Sequence, residues 1–237
     1  MKTSLSSRIA LGLALAAGSS LVLHRATPAA EAAITIPAPA LDNPHAAGQL
    51  QTAVLAGGCF WGVQAVFEHV KGVTRVIAGY AGGERATADY ETVSGGSTGH
   101  AESVQVTFDP AQVSFGELLR IAFSVVLDPT QLNRQGPDSG TQYRSEVFYS
   151  DERQKEIATA YIAQLNAAHV YSKPIATRVD PLKGFYPAES YHQDYLVNHP
   201  GSFYIIVNDK PKVENFQRLF PGQYLDRPVL VGTSAAR

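Results

Sequence analysis

Thr52-Ala53-Val54-Leu55-Ala56-Gly57-Gly58-Cys59-Phe60-Trp61-Gly62-Val63-Gln64-Ala65-Val66-Phe67 is the stretch on which the reading of this chain turns. Residues 52–56 are a short apolar run, the pattern of a buried strand, and beyond Gly62 the residues Val63, Val66, Phe67 and Val70 recur at helical spacing. A strand therefore hands the chain to a helix across two glycines, which permit a sharp turn and a close approach of another molecule to the backbone. Cys59 stands at that handover. It is the only cysteine, and Trp61 the only tryptophan, in 237 residues. Unpaired N–H groups and the positive end of the helix dipole lower a thiol's pKa at such a position. A lone cysteine is more often a small inert core residue, but this setting points to a nucleophile.

Outward from that stretch, composition bounds the rest. Hydrophobic residues make up 45% of the chain, ordinary for a globular protein, and charged residues a low 17%. A net charge of −2 without any basic block or stripe excludes nucleic acid as the expected partner. One cysteine excludes an intramolecular disulfide. At the N-terminus, Lys2 and Arg8 precede an apolar stretch over residues 9–23, followed by Ala-rich sequence through Ala33, the pattern of a secretory signal. Interrupted by Gly18-Ser19-Ser20, the stretch falls short of the roughly 20 residues a membrane span needs. Residues 1–32 are thus expected to direct export to a periplasmic or other extracytoplasmic space, with Ala30-Glu31-Ala32 offering a cleavage site. An uncleaved anchor is the alternative.

Residues 33–50, rich in Ala and Pro and without periodicity, read as a flexible, extended lead-in. A single domain is expected over 51–228, followed by a tail, 229–237. Within the domain, residues 73–80 read as a strand and 81–99 as a long Gly-rich loop of the kind that carries function. Residues 102–108 alternate, with Val104, Val106 and Phe108 on one face. Ser114-Phe115-Gly116-Glu117 is a capping box opening a helix to about residue 127. Residues 128–142 form a second loop, 143–149 a strand, and Ser150 caps a helix bearing Ile157, Tyr161 and Leu165. A strand at 175–179, an apolar run at 203–207 and a helix at 213–220 complete the chain. Irregular alternation of strands and helices points to an α+β sandwich, a mixed β-sheet with packed helices.

Four residues join Cys59 as candidates for chemistry. Glu102 shares the face of Val104, Val106 and Phe108. Inside the strand it is desolvated, its pKa rises toward neutrality, and it can serve as a proton donor. Beyond the strand end it is solvated and inert, and both readings are open. Tyr90 and Tyr143 each border one of the two loops, where a phenol can donate to a bound oxygen, although most of the 11 tyrosines are simply half-buried. Asp138 lies in Gly136-Pro137-Asp138-Ser139-Gly140 and reads by default as a turn residue.

Taken together, Gly57-Gly58-Cys59-Phe60-Trp61-Gly62, Gly99-His100-Ala101-Glu102, Asn133-Arg134-Gln135-Gly136 and Gly140-Thr141-Gln142-Tyr143-Arg144-Ser145 resemble the A-type peptide methionine sulfoxide reductases. Phe185-Tyr186-Pro187-Ala188-Glu189 with His192-Gln193, and Asn208-Asp209-Lys210-Pro211-Lys212, extend the resemblance over residues 53–228 in the family's order. It implies a ferredoxin-like fold and reduction of the S epimer of methionine sulfoxide, free or in oxidised proteins, with no bound cofactor. By the same resemblance Cys59 matches the nucleophile, Glu102 the acid, Tyr90 and Tyr143 the ligands of the sulfoxide oxygen, and Asp138 an acidic residue nearby. Phe60 and Trp61 match the aromatic wall that receives the substrate methyl group. An ionised Glu102 beside Cys59 would raise the thiol's pKa, so the pair is expected to titrate as a coupled unit.

One departure from the family matters. Many members carry further cysteines near the C-terminus that resolve the sulfenic acid, and the tail here has none. The reductant is then an external thiol, a small molecule or a thioredoxin-like protein, acting on a monomer. Two other readings compete: a Cys–His hydrolase or acyltransferase using His69, His100 or His192 as base, and a non-catalytic module that grips methionine sulfoxide through Phe60 and Trp61.

Overall fold

The structure, a computed structural model, describes residues 33–231, so the expected signal segment and the end of the tail lie outside the described residues. Strand β1 (Gln51–Gly57) delivers the chain to helix α1 (Phe60–Glu68), and β2 (Val73–Ala81) returns. The first loop carries a short 3-10 turn and a helix, α2 (Tyr90–Ser94), before β3 (Ala101–Phe108) and α3 (Phe115–Ile121), which continues into a π-helical turn to Val126. The second loop folds into a two-residue ribbon, β4 (Arg134–Gln135) with β5 (Asp138–Ser139), ahead of β6 (Ser145–Tyr149) and α4 (Glu152–Ala167). Short pieces follow: β7 (Arg178–Pro181), β8 (Phe185–Pro187), α5 (Tyr195–Asn198) and the closing helix α6 (Lys210–Leu219).

The main sheet runs β7-β6-β1-β3-β2-β8, all neighbours antiparallel except β6 with β7. Its centre, β6-β1-β3-β2, is the ferredoxin-like βαββαβ arrangement, with α1 and α3 as the two crossovers. β7 and β8 extend it at the edges, giving the mixed α+β sandwich expected. Alternation decides the faces. On β3, Val104, Val106 and Phe108 are fully buried in the main core with Val63, Val66, Phe67, Leu118 and Leu119. Val54, Ala56, Ala81, Ala101 and Phe148 form a smaller cluster of buried side chains. Helix α1 is buried on nearly every side, because the sheet and the C-terminal helix both pack on it.

Several local expectations need correction. Asp151, not Ser150, caps α4, its carboxylate accepting Gln154 N–H at 2.8 Å. The strand expected at 175–179 begins only at Arg178, because the backbone N–H groups of Ile175 and Ala176 are held by Asn166 and Pro129. The strand expected from 143 begins at Ser145, since Gly140, at φ +143°, turns the chain into a 3-10 turn over Thr141–Tyr143. The apolar run at 203–207 enters a helix through a π-helical turn, Ile205–Asp209, that leads straight into α6. Among the described residues no helix is long and apolar enough to cross a membrane.

The lead-in carries no helix or strand of its own and makes specific contacts with the domain. Ile36 is buried in the core, Tyr161 Oη donates to Pro37 O at 2.6 Å, and Arg120 Nε donates to Ile36 O at 3.0 Å. Asp42 accepts from Ser114 Oγ and from Gly116 N at the start of α3. Such a strap has no periodicity of its own because its partners are side chains of distant helices. Replacing Ile36 by Ala should therefore cost about 2–4 kcal/mol, within the range for truncating a buried aliphatic side chain. Urea unfolding at unchanged m value is the measurement, and a mobile lead-in would show no loss.

Candidate active site

Cys59 ends the turn that the glycines make possible. Gly58 has φ +88°, and a Cβ there would meet Gln135 Cβ at 2.6 Å, so the second loop sits directly on the turn. Cys59 is the N-cap of α1. The first N–H of that helix, Phe60 N, donates to Glu102 Oε2 at 3.0 Å, and Glu102 stands opposite Tyr80 on β2. Strand register and helix start thus meet at one carboxyl.

That carboxyl is buried, 3% exposed, which selects the desolvated reading of Glu102 over the solvated one. Burial pushes its pKa up to about 8; Phe60 N–H opposes the shift, and the charges of Asp138 and Asp209 add to it. The expectation for Cys59 is reversed. Although the residue as a whole is only half-buried, desolvation of its sulfur pushes the thiol well above its usual range. Glu102 and Asp209 raise it further, Trp61 N–H lowers it, and Asp138 adds a smaller upward push. A helix N-terminus loses to burial among carboxylates because its partial charge is only about half an elementary charge. Burial thus holds both Cys59 and Glu102 toward their protonated forms in the resting site.

Tyr143 closes the 3-10 turn, and its phenol is raised by burial, then by Glu102, Asp138 and Cys59. Tyr90 opens α2, with its backbone N–H held by Glu189 Oε1 at 3.0 Å. Its phenol is raised by burial and by Glu102, with a smaller contribution from Cys59. Asp138, on β5, accepts a hydrogen bond from Tyr204 Oη. The structure thus brings Cys59, Glu102, Tyr90, Tyr143 and Asp138 into one cluster. Arg144 ties the loops that carry them: Nη1 donates to His100 O at 3.1 Å and Thr141 O at 2.9 Å, and Nη2 to Gly99 O at 2.9 Å.

The two aromatic residues separate in depth. Phe60 is 1% exposed and packs between Tyr80 and His192, ring centroids 5.8 and 5.0 Å away. Trp61 remains partly exposed, stacks on Tyr195 at 3.7 Å and meets the edge of Tyr204 at 5.8 Å. Tyr195 and Tyr204 escape the sequence reading because they arrive from the C-terminal region, and Asp209 is quoted there only as part of a motif, without a role.

The histidines do not support a Cys–His pair. His69 Nδ1 bonds Leu225 O at 2.6 Å, His100 uses both ring nitrogens on the backbone of Gly83 and Glu84, and His192 Nδ1 accepts Trp61 Nε1–H at 3.1 Å. The remaining His192 nitrogen faces Glu189 at 3.9 Å, and burial lowers that imidazole's pKa.

A family model described as peptide methionine sulfoxide reductase matches residues 51–223. The chain is 56% identical over 191 residues to peptide methionine sulfoxide reductase MsrA 2 of Mesorhizobium japonicum, covering 81% of this chain and 97% of that one. It is 49% identical over 220 residues to the MsrA 2 of a Synechocystis species, covering 92% and 98%. Among solved structures, reduced Mxr1 from Saccharomyces cerevisiae aligns with a TM-score of 0.59 at 35% identity, over 65% of this chain and 88% of that one. With a buried acid hydrogen-bonded beside a helix-capping thiol and a family match over most of its length, the chain belongs to the peptide methionine sulfoxide reductases.

Proposed function

We propose that Cys59 is the nucleophile and Glu102 the acid in the reduction of methionine S-sulfoxide to methionine. A sulfoxide sulfur becomes electrophilic when its oxygen is protonated or strongly hydrogen-bonded, which is what protonated Glu102 and the phenols of Tyr90 and Tyr143 supply. Attack requires the cluster to lose one proton, from the sulfur rather than the carboxyl. The Cys59 thiolate then attacks the sulfoxide sulfur, forming an S–S bond while Glu102 protonates the oxygen. That oxygen migrates from the substrate sulfur to the Cys59 sulfur as the S–S bond breaks with its electron pair going to methionine, and Cys59 is left as a sulfenic acid. Asp138 orients this cluster through Tyr204, and Trp61 with Phe60 behind it faces the methyl group. The observation that carries the reading is Glu102, buried and hydrogen-bonded to the amide next to Cys59.

With no second cysteine, an external thiolate attacks the sulfenic sulfur and releases water, leaving a mixed disulfide that a further thiol reduces. A thioredoxin-like protein is the reductant of choice for the enzyme, which works as a monomer. Residues 1–32 direct it out of the cytoplasm, where it repairs oxidised proteins; N-terminal sequencing of the exported form checks this.

Glu102→Gln keeps the shape and the contact with Phe60 N–H but cannot donate a proton as an acid. It should lower kcat with methionine S-sulfoxide by about 100-fold or more, the scale of a general acid's contribution. Unchanged turnover would remove Glu102 from the role. Because attack needs the pair to have lost one proton, turnover in the parent should rise as pH climbs toward about 8 and fall only at higher pH, where the second proton is lost, and that alkaline fall should vanish in the variant. For the reductive half, a thioredoxin variant retaining only its attacking cysteine should be trapped on Cys59 after substrate turnover. A Cys59 sulfenic acid that accumulates untouched by thioredoxin would count against this partner.

A further inference from the structure

Exposed large apolar side chains are unevenly spread over this chain. Among the described residues, five of the seven stand on segments that build the site: Leu132, Tyr191, Val197, Phe203 and Ile206. Leu132 belongs to the loop whose Asp138 accepts from Tyr204, and Tyr191 precedes His192, which accepts from the Trp61 indole. Val197 lies two residues beyond Tyr195, the ring stacked on Trp61. Scattered singly, such residues need no explanation; gathered around one site, they mark a surface that another molecule covers.

Phe203 and Ile206 are the most informative of the five. Residues 203–209 are helical, with Phe203 80% exposed and Ile206 48% exposed. Three residues apart, the two share one face. Partly exposed Val207, at helical spacing from both Phe203 and Tyr204, joins that face to the tyrosine whose ring meets the edge of Trp61 at 5.8 Å. The apolar shelf is thus continuous with the aromatic wall beside Cys59. Ile205 and Asp209, on the opposite side of the same stretch, are fully buried, which anchors it with Phe203 facing outward.

We propose that Phe203 and Ile206 form a subsite for peptide substrates, receiving a bulky apolar side chain two residues from the methionine sulfoxide. The inference rests on the reductase reading of the site and adds a preference among its substrates. The chemistry selects this occupant. A methionine sulfoxide side chain that enters past Trp61 brings its own backbone to the rim. In an extended segment the residues two positions away point to the same side, about 7 Å along the chain. Methionine is a core-filling residue, so in the strands of a protein core its same-side neighbours are apolar too. Free methionine sulfoxide has no such neighbours and cannot use the shelf.

Turnover with dithiothreitol as reductant keeps the protein reductant out of the measurement. The substrates compared are free methionine S-sulfoxide, a peptide with leucine two residues to either side of methionine S-sulfoxide, and the same peptide with serine there. The parent should favour the leucine peptide over the serine peptide in kcat/KM. Phe203→Ser should lower kcat/KM for the leucine peptide by about fivefold, through KM, the scale of losing one half-buried aromatic contact. The free amino acid and the serine peptide should be unchanged. Ile206→Ser should act in the same direction and more weakly. Equal rates on the two peptides in the parent, or an equal loss on all the substrates in the variant, would overturn the subsite. So would a loss seen only when thioredoxin replaces dithiothreitol, which would give the shelf to the reductant. Failure of the parent to turn over any of these substrates would remove the reductase reading itself, and the subsite with it.

Discussion

The hydrogen bond from Phe60 N–H to Glu102 is the contact on which the site depends. It joins the N-terminus of α1 to the start of β3, two elements 42 residues apart in sequence. A helix N-terminus must satisfy its first amides from outside the helix, and here a carboxyl does it. The same carboxyl is then held within reach of the neighbouring thiol. Burial favours its protonated form and the amide its ionised form, and burial is the larger effect. An acid that is still protonated near neutrality yet fixed in direction is the result.

Much of the surrounding architecture maintains that geometry. The register that sets Tyr80 opposite Glu102 fixes how far β3 extends toward the helix start. Gly58 lets Gln135 close over the turn, while the amide of Gln135 is anchored to both backbone groups of Asp128. The Arg144 guanidinium is held by Glu146 and by the carbonyls of three loop residues. The charges that act on Cys59 are those of carboxylates. A site of that kind suits a neutral substrate whose oxygen needs a proton, and it disfavours a standing thiolate.

A good part of this was legible in the chain. The parity that puts Glu102 on the face of Val104, Val106 and Phe108 was legible because alternation is a local property of a strand, while whether it lay inside the strand, and so was desolvated, was not. Cys59 could be placed at a helix start because glycines and helical spacing flank it. The direction of the thiol's pKa was not legible, since it depends on desolvation and on Asp138 and Asp209, which reach the sulfur only through folding. The contacts of the lead-in, residues 33–50, were not legible for a related reason: Ile36 and Asp42 have no local pattern, and their partners lie on α3 and α4. Tyr204, in an apolar run, and Asp209, in a motif quoted without a role, give no local sign that they pack beside the start of α1.

The sequence by itself determined the strand-to-helix turn, the parity of β3, the single thiol and the family to which the hexamer around Cys59 belongs. These are matters of local geometry, residue type and spacing. Only the tertiary structure decided which carboxyls surround the sulfur, which histidines are already committed to other partners, and which tyrosines complete the wall beside Trp61. Burial and charge act through space, and their balance at Cys59 is set by groups that the chain keeps as much as 150 residues apart.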